Sequence, residues 1–384
     1  MTARALGEAW RAGVLPKGTL DPAKLVATAM RREGVRDFGP GDWKTPLEIL
    51  TGDLRNEAQL NPLGRTMAHG QMLKALQERL RATALIDAHP EIEDIDLSAP
   101  IVVIGPMRSG TTRVQRLLAR DPRLSHTRTF ETMDPVPSHP SLRPMQVRAG
   151  LWLLQRLNPA IGHIHPTSAG AAEEEFGFFA PTFNAALFET QWDVPAYARW
   201  LAQADRADAY SWFRRFLQIT AWHRGEMRPA PWVLKAPEFM DGLDALLDTF
   251  PDARLLVLSR DAKAVVASSA SLIHEHRRLH SDHVDPIAIG RESLSLYARR
   301  ARRTLAVLAA RPDVPRHHMD FGAMNADWRG EVARVYDFLG MPLTDEIVAR
   351  MAAYLDGARR HRAHSYDAAD YAITDADIAE LPDF

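Results

Sequence analysis

Apolar residues along this chain follow two rhythms. From Thr66 to His89 they recur at helical spacing among charges, and the whole stretch 1–95 reads as helical. After the link HPEIEDIDLSAP the pattern changes. Ile101, Val102, Val103 and Ile104 form an unbroken β-branched run between Pro100 and Gly105, as expected of a strand buried on both faces. Trp232-Val233-Leu234 and the run 254–258 repeat the pattern, and a weaker run lies at 314–321. Helical periodicity predicts helices over 172–187, 207–224, 242–248, 262–277, 289–310 and 326–339. Strands alternating with helices of this length predict an α/β fold: a doubly wound parallel sheet flanked by helices, with ligands beyond the carboxyl ends of the strands. The chain then divides into a helical N-terminal extension, 1–95, and an α/β domain, 96–384. The prolines at 135, 137, 140, 144, 159 and 166 predict an irregular segment over 130–170.

Composition changes this picture only by exclusion. The chain is 46% hydrophobic and 25% charged, as a globular protein should be, and its net charge of −2 provides no overall basic field for a nucleic acid. The absence of cysteine excludes disulfides, thiolate metal sites and thiol nucleophiles. The N-terminus lacks the apolar stretch of a signal peptide, and no run approaches the roughly 18 apolar residues that would span a bilayer. A cytoplasmic enzyme is the expectation, with peripheral membrane contact and a homo-oligomer left open. Positive charge is nearly all arginine; lysine occurs only at 17, 24, 44, 74, 235 and 263. Arginine richness by itself reads as coding bias, but it makes a lysine inside a motif conspicuous.

The motif of greatest weight is IVVIGPMRSGTTRVQRLL, 101–118. A strand ends at Gly105, a loop follows, and an amphipathic helix begins near Thr111. Such a loop turns backbone N–H groups and a helix N-terminus toward an anion. Gly105 and Gly110 have the spacing of G-x-x-x-x-G, but Thr111 stands where a nucleoside-triphosphate loop carries lysine. The cation has moved into the loop as Arg108. This disfavours a kinase and suits a phosphate bearing a single transferable group.

GPMRSGTT resembles the 5′-phosphosulfate loop of sulfotransferases that use 3′-phosphoadenosine 5′-phosphosulfate (PAPS), whose usual form is P-[KR]-[ST]-G-T-T. The resemblance implies a P-loop-like sheet in which Arg108, Ser109, Gly110, Thr111 and Thr112 cradle the phosphosulfate. Relatives often carry an adenine-stacking aromatic next; here that position is Arg113. In RLLVLSRDAKAVVASSASL, 254–272, Arg260 and Ser268 have the offset of the family's 3′-phosphate pair. PWVLKAPEF resembles its K-x-P-x-H segment. There Lys235 is the implied stabiliser of the migrating sulfuryl group, and Phe239 replaces the histidine. The tail HRAHSYDAADYAI resembles the segment that closes over the nucleotide, with Arg362, His364, Ser365 and Tyr366 as candidates. The match covers roughly 60–375 and is nearest to bacterial members with a helical N-terminal extension.

In-line sulfuryl transfer needs a base for the acceptor proton and cations for the leaving phosphate, without an obligatory metal. HIHPTSAGAAEEEF offers His163, His165, Glu173, Glu174 and Glu175, among which His165 and Glu174 are taken as catalytic beside Arg108 and Lys235. Dipole compensation at a helix start explains the acidic run equally well. Glu131 and Glu238 are further carboxylates beside the motifs. HEHRRLHSDH, 274–283, puts His276 and His280 four residues apart; without a third ligand it reads as a polar lid rather than a zinc site. No G-x-S-x-G signature occurs. The expected donor is PAPS and the product PAP, with a small-molecule, lipid or glycan acceptor. A P-loop small-molecule kinase and a non-catalytic nucleotide-binding module remain as alternatives. Phe176, Phe178, Phe179, Phe183, Phe188 and Trp192 suggest an apolar acceptor pocket, although helix packing would use the same residues.

Overall fold

The computed structural model describes residues 3–14, 16–157, 167–358 and 367–384. Among the described residues five parallel strands form one sheet: β1 (Ile101–Ile104), β2 (Ser125–His126), β3 (Trp232–Lys235), β4 (Arg254–Ser259) and β5 (Arg316–Asp320), in the order β2-β3-β1-β4-β5. From β1 the chain first builds outward on the β3 side and then crosses to β4 and β5. The switch point is therefore the end of β1, between β3 and β4.

Alternation along the strands supplies both layers. Val102, Ile104, Leu234, Leu255 and Val257 point into the larger core, which they share with Leu25, Leu47 and Leu76 of the N-terminal helices. Ile101, Val103, Val233, Leu256 and Leu258 point to the other face, against Val114, Leu117, Tyr336 and Met351. The doubly wound α/β fold expected from the sequence is the fold observed.

Individual elements depart from the sequence expectation. The helix expected over 172–187 is broken into Phe176–Phe179, a 3-10 turn Ala180–Thr182 and Leu187–Gln191. Pro181 and the left-handed Phe183 (φ 57°) interrupt it. The described part of 130–170 is less irregular than expected, since it holds helices Thr129–Met133 and Arg143–Leu157. The histidine-rich stretch is no lid but the end of the helix Ala262–His280. His280 is buried, its Nδ1 lies 2.8 Å from the His276 carbonyl, and burial pushes it down to about 4. The long helix Pro62–Ala88 crosses there at Gly64, where a Cβ would stand 2.0 Å from the His280 carbonyl oxygen. Only glycine permits that approach.

Candidate functional site

The loop after β1 is shaped by two close contacts. At Gly105 a Cβ would lie 2.6 Å from the Leu258 carbonyl oxygen, and at Gly110 (φ 91°) it would lie 2.5 Å from the Phe321 ring. Arg108 adopts φ 72°, a conformation uncommon for a residue with a side chain and one that concentrates at functional sites. The helix Thr111–Leu118 starts at Gly110 with no side-chain cap, so its first N–H groups face the loop's concavity. Ser109 is fully buried and its Oγ has no hydrogen-bond partner. An uncapped helix start, a bare buried hydroxyl and a backbone too close-packed for a Cβ suit an anion held by N–H and O–H groups.

The neighbouring strands bring the cations. Val103 of β1 is in register with Lys235, the last residue of β3, and Ile104 with Val257 of β4, which ends one residue before Arg260. Lys235 and Arg260 thus flank the loop from opposite sides. Arg260 donates to the Arg108 carbonyl at 2.6 Å, and its guanidinium lies 4.3 Å from the centre of the Phe321 ring. Arg108 Nε donates to Ser268 Oγ at 3.0 Å from the second turn of Ala262–His280. The two motifs singled out in the sequence meet at these contacts, which join residues separated by 152 and 160 positions. Phe321 was read in the sequence only as the last residue of the weak run 314–321, with no role at the site.

The three consecutive glutamates have three different surroundings. Glu173 accepts from the Thr167 hydroxyl at 2.6 Å and lies 3.7 Å from Arg116. Glu174 is ion-paired with Lys235 Nζ; Thr112 Oγ1 lies 3.2 Å from that ammonium and 3.3 Å from Glu174 Oε1. Glu175 is fully buried; its Oε2 accepts the Lys235 backbone N–H at 2.8 Å, and Oε1 lies 2.7 Å from Thr127 Oγ1. That hydroxyl also stands 2.7 Å from the Glu173 carbonyl. The Thr127 hydroxyl is thus shared between the Glu173 carbonyl and the Glu175 carboxyl, to each of which it can donate. Burial outweighs this bond and the Lys235 amide and pushes Glu175 up to about 8.

A carboxyl raised in the folded state binds its proton more tightly there than in the unfolded chain. Its contribution to stability is therefore full in acid and declines as pH rises from about 4.5 through about 8. Glu175→Gln, which keeps one donor and one acceptor, should flatten that decline in denaturant titrations at different pH. Glu175→Ala should remove the decline as well, and in acid, where the wild-type carboxyl is protonated, it should cost about 1–3 kcal/mol because it strips the Lys235 amide of its partner.

The other sequence candidates resolve as follows. Glu131 is buried between Arg128 and Arg224, and Glu238 is buried against Arg206 and pushed up to about 7 by burial. Neither is among the residues that line the cavity beside the loop. Phe239 sits in an aromatic core with Phe179 and Phe213. Arg113 turns to Asn325. His163, His165, Arg362, His364, Ser365 and Tyr366 lie outside the described residues. Among the described residues no three His, Asp or Glu side chains gather as metal ligands.

A cavity of about 630 Å³ opens beside the loop. Arg108, Thr112, Glu174, Lys235 and Phe321 line one part of it, and Leu151, Leu154, Phe176, Leu187, Phe188 and Leu272 another. Of the aromatics suspected in the sequence, Phe176 and Phe188 reach it, whereas Phe178, Phe179, Phe183 and Trp192 pack in the core. Gln71, Lys74 and Glu78 of Pro62–Ala88 add a polar border, and burial pushes Glu78 up to about 7.

A model described as "Sulfotransferase family" matches residues 100–345. The fold is similar to the crystal structure of the sulfotransferase STF1 from Mycobacterium tuberculosis H37Rv, at 29% sequence identity and a TM-score of 0.81; the match covers 93% of this chain and 97% of that one. It is also similar to that of the sulfotransferase STF9 from Mycobacterium avium, at 24% identity and a TM-score of 0.78, with 93% of each chain covered. No curated protein matches the sequence.

Proposed function

Since this chain belongs to the sulfotransferase family, we propose that it transfers a sulfuryl group from PAPS to a hydroxyl (or amine) of an apolar small molecule or lipid. The observation that carries this reading is the flanking of the lysine-less loop 105–112 by Lys235 on one side and Arg260 on the other. A donor with one transferable group on its 5′-phosphate and a separate 3′-phosphate needs those two cationic positions. The bare Ser109 hydroxyl and the uncapped helix start suit the 5′ end. Arg260 and Ser268, joined through Arg108, suit the 3′ end. Phe321 offers an aromatic face beside them.

When bound, PAPS supplies the electrophilic sulfur. The acceptor oxygen forms a bond to sulfur as the bond to the phosphate oxygen breaks, and PAP leaves. Glu174 takes the acceptor proton. Lys235, held by its backbone to Glu175 and by its ammonium to Glu174 and Thr112, meets the charge that grows on the departing oxygen. Protein cations do here what magnesium does in a kinase. The leucines and phenylalanines of the cavity favour an apolar acceptor over a glycan, because sugar hydroxyls would find few partners among them.

Thermal melting in the presence of PAP, ATP·Mg²⁺ or neither tests the reading. PAP should stabilise the protein without magnesium, and Arg260→Ala should weaken PAP binding about 10- to 150-fold, equivalent to the roughly 1.5–3 kcal/mol of a charge-assisted contact. Stabilisation by ATP·Mg²⁺ alone would make the protein a small-molecule kinase. PAP binding without turnover over a broad acceptor panel would leave a binding module.

A further inference from the structure

The helix Arg143–Leu157 has apolar side chains on two sides. Leu151 and Leu154 line the cavity beside the loop, and Val147 is buried with them. The opposite side exposes Met145 at 62%, Trp152 at 57% and Leu153 at 52%, and Leu142, just before the helix, at 42%. Met133, at the end of Thr129–Met133, is also 42% exposed, but it lines the cavity rather than this outer face. The other four are nearly half of the large apolar side chains left to solvent among the described residues. Scattered singly they would need no explanation; gathered on one short stretch they do.

The charges on the helix point the same way. It carries Arg143, Arg148 and Arg156 and no carboxylate, in a chain whose net charge is −2. Arg148 and Arg156 are exposed, and Arg156 lies 5.0 Å from the centre of the Trp152 ring. The nearby carboxylates are engaged by cations: Glu131 by Arg128 and Arg224, Asp134 by Lys74 and Arg81. A 15-residue helix is too short to cross a bilayer but has what an interfacial helix needs. Tryptophan prefers the headgroup level, and arginine pairs with anionic headgroups while its stem lies on apolar surface.

We propose that the Met145/Trp152/Leu153 face of the helix Arg143–Leu157 docks the protein onto an anionic lipid surface. The apolar acceptor then passes from the bilayer into the cavity that the helix's other side lines. Only this second step rests on the proposed sulfotransferase function; docking rests on the surface itself.

Sedimentation of the full chain with vesicles is the test, using phosphatidylcholine alone and phosphatidylcholine mixed with phosphatidylglycerol. The wild type should pellet with the mixed vesicles, and high salt should release it, since headgroup attraction is screened. The triple substitution Met145→Glu, Trp152→Glu and Leu153→Glu should lower partitioning at least about tenfold. Because all three side chains are exposed, its melting temperature and PAP stabilisation should stay those of the wild type. Wild type remaining in the supernatant, or a variant that pellets equally well, overturns docking. So does a wild-type dimer that the triple substitution converts to a monomer, because a second copy would then cover the face. Vesicle binding without any PAP stabilisation would refute the sulfotransferase reading and leave docking intact.

Discussion

Lys235→Met should lower kcat by about 10²-fold or more, while PAP affinity changes by no more than a few-fold. Methionine keeps the apolar stem and the backbone N–H bonded to Glu175, so β3 and the wall beside the loop stay in position. What disappears is an ammonium that is 3% exposed at the level of the whole residue and bridges Glu174 and Thr112. In so dry a setting a cation aimed at charge that develops only as the S–O bond breaks acts on the transition state and little on the ground state. On the proposed reading PAP would still be held by the loop amides, Ser109, Arg260 and Ser268. The measurement is single-turnover kinetics beside PAP titration. A variant that folds and turns over at the wild-type rate would reduce Lys235 to a buried ion pair.

Glu174→Gln is the second large effect. Loss of a positioned base costs about 10²- to 10⁴-fold in rate. Glutamine can still hydrogen-bond Thr112 and Lys235, so the loss falls on proton transfer rather than on geometry. The deficit should be largest with alkyl alcohols and smaller with phenols, whose protons leave more readily. Equal deficits across such a series would assign Glu174 to holding Lys235, and His165 would become the base to test.

The sheet was legible in the sequence because a parallel strand buried on both faces writes itself as an unbroken apolar run. β1, β3 and β4 each do so. β2 spans only Ser125–His126 and carries no apolar residue, so no pattern marks it. The helix expected over 172–187 fails for a tertiary reason as well as a local one. Gly177 packs so tightly on Thr132 that a Cβ would overlap its carbonyl oxygen. The loop cations and hydroxyls were legible as a motif, since their spacing is local. The three glutamates at 173–175 were not. They are chemically identical in the sequence, and only the strands around them make one a buried acid, one the partner of Lys235 and one the partner of Thr167. His280 misled for the same reason: polarity along a sequence says nothing of a neighbouring helix that seals the residue away.

The helix Pro62–Ala88 sits outside the matched span 100–345, yet it supplies Gln71, Lys74 and Glu78 to the cavity and is fitted to His280 at Gly64. The polar border of the cavity is thereby written on a different stretch of the chain from the loop, although its apolar wall lies within the matched span. A lineage could trade one acceptor for another by drift in the first hundred residues, leaving the anion loop untouched. Engineers could do likewise by randomising positions 71, 74 and 78 while holding 105–112 constant. The same arrangement limits what can be grafted, because an inserted helix must bring a glycine to meet the His280 carbonyl or the two halves will not close on each other.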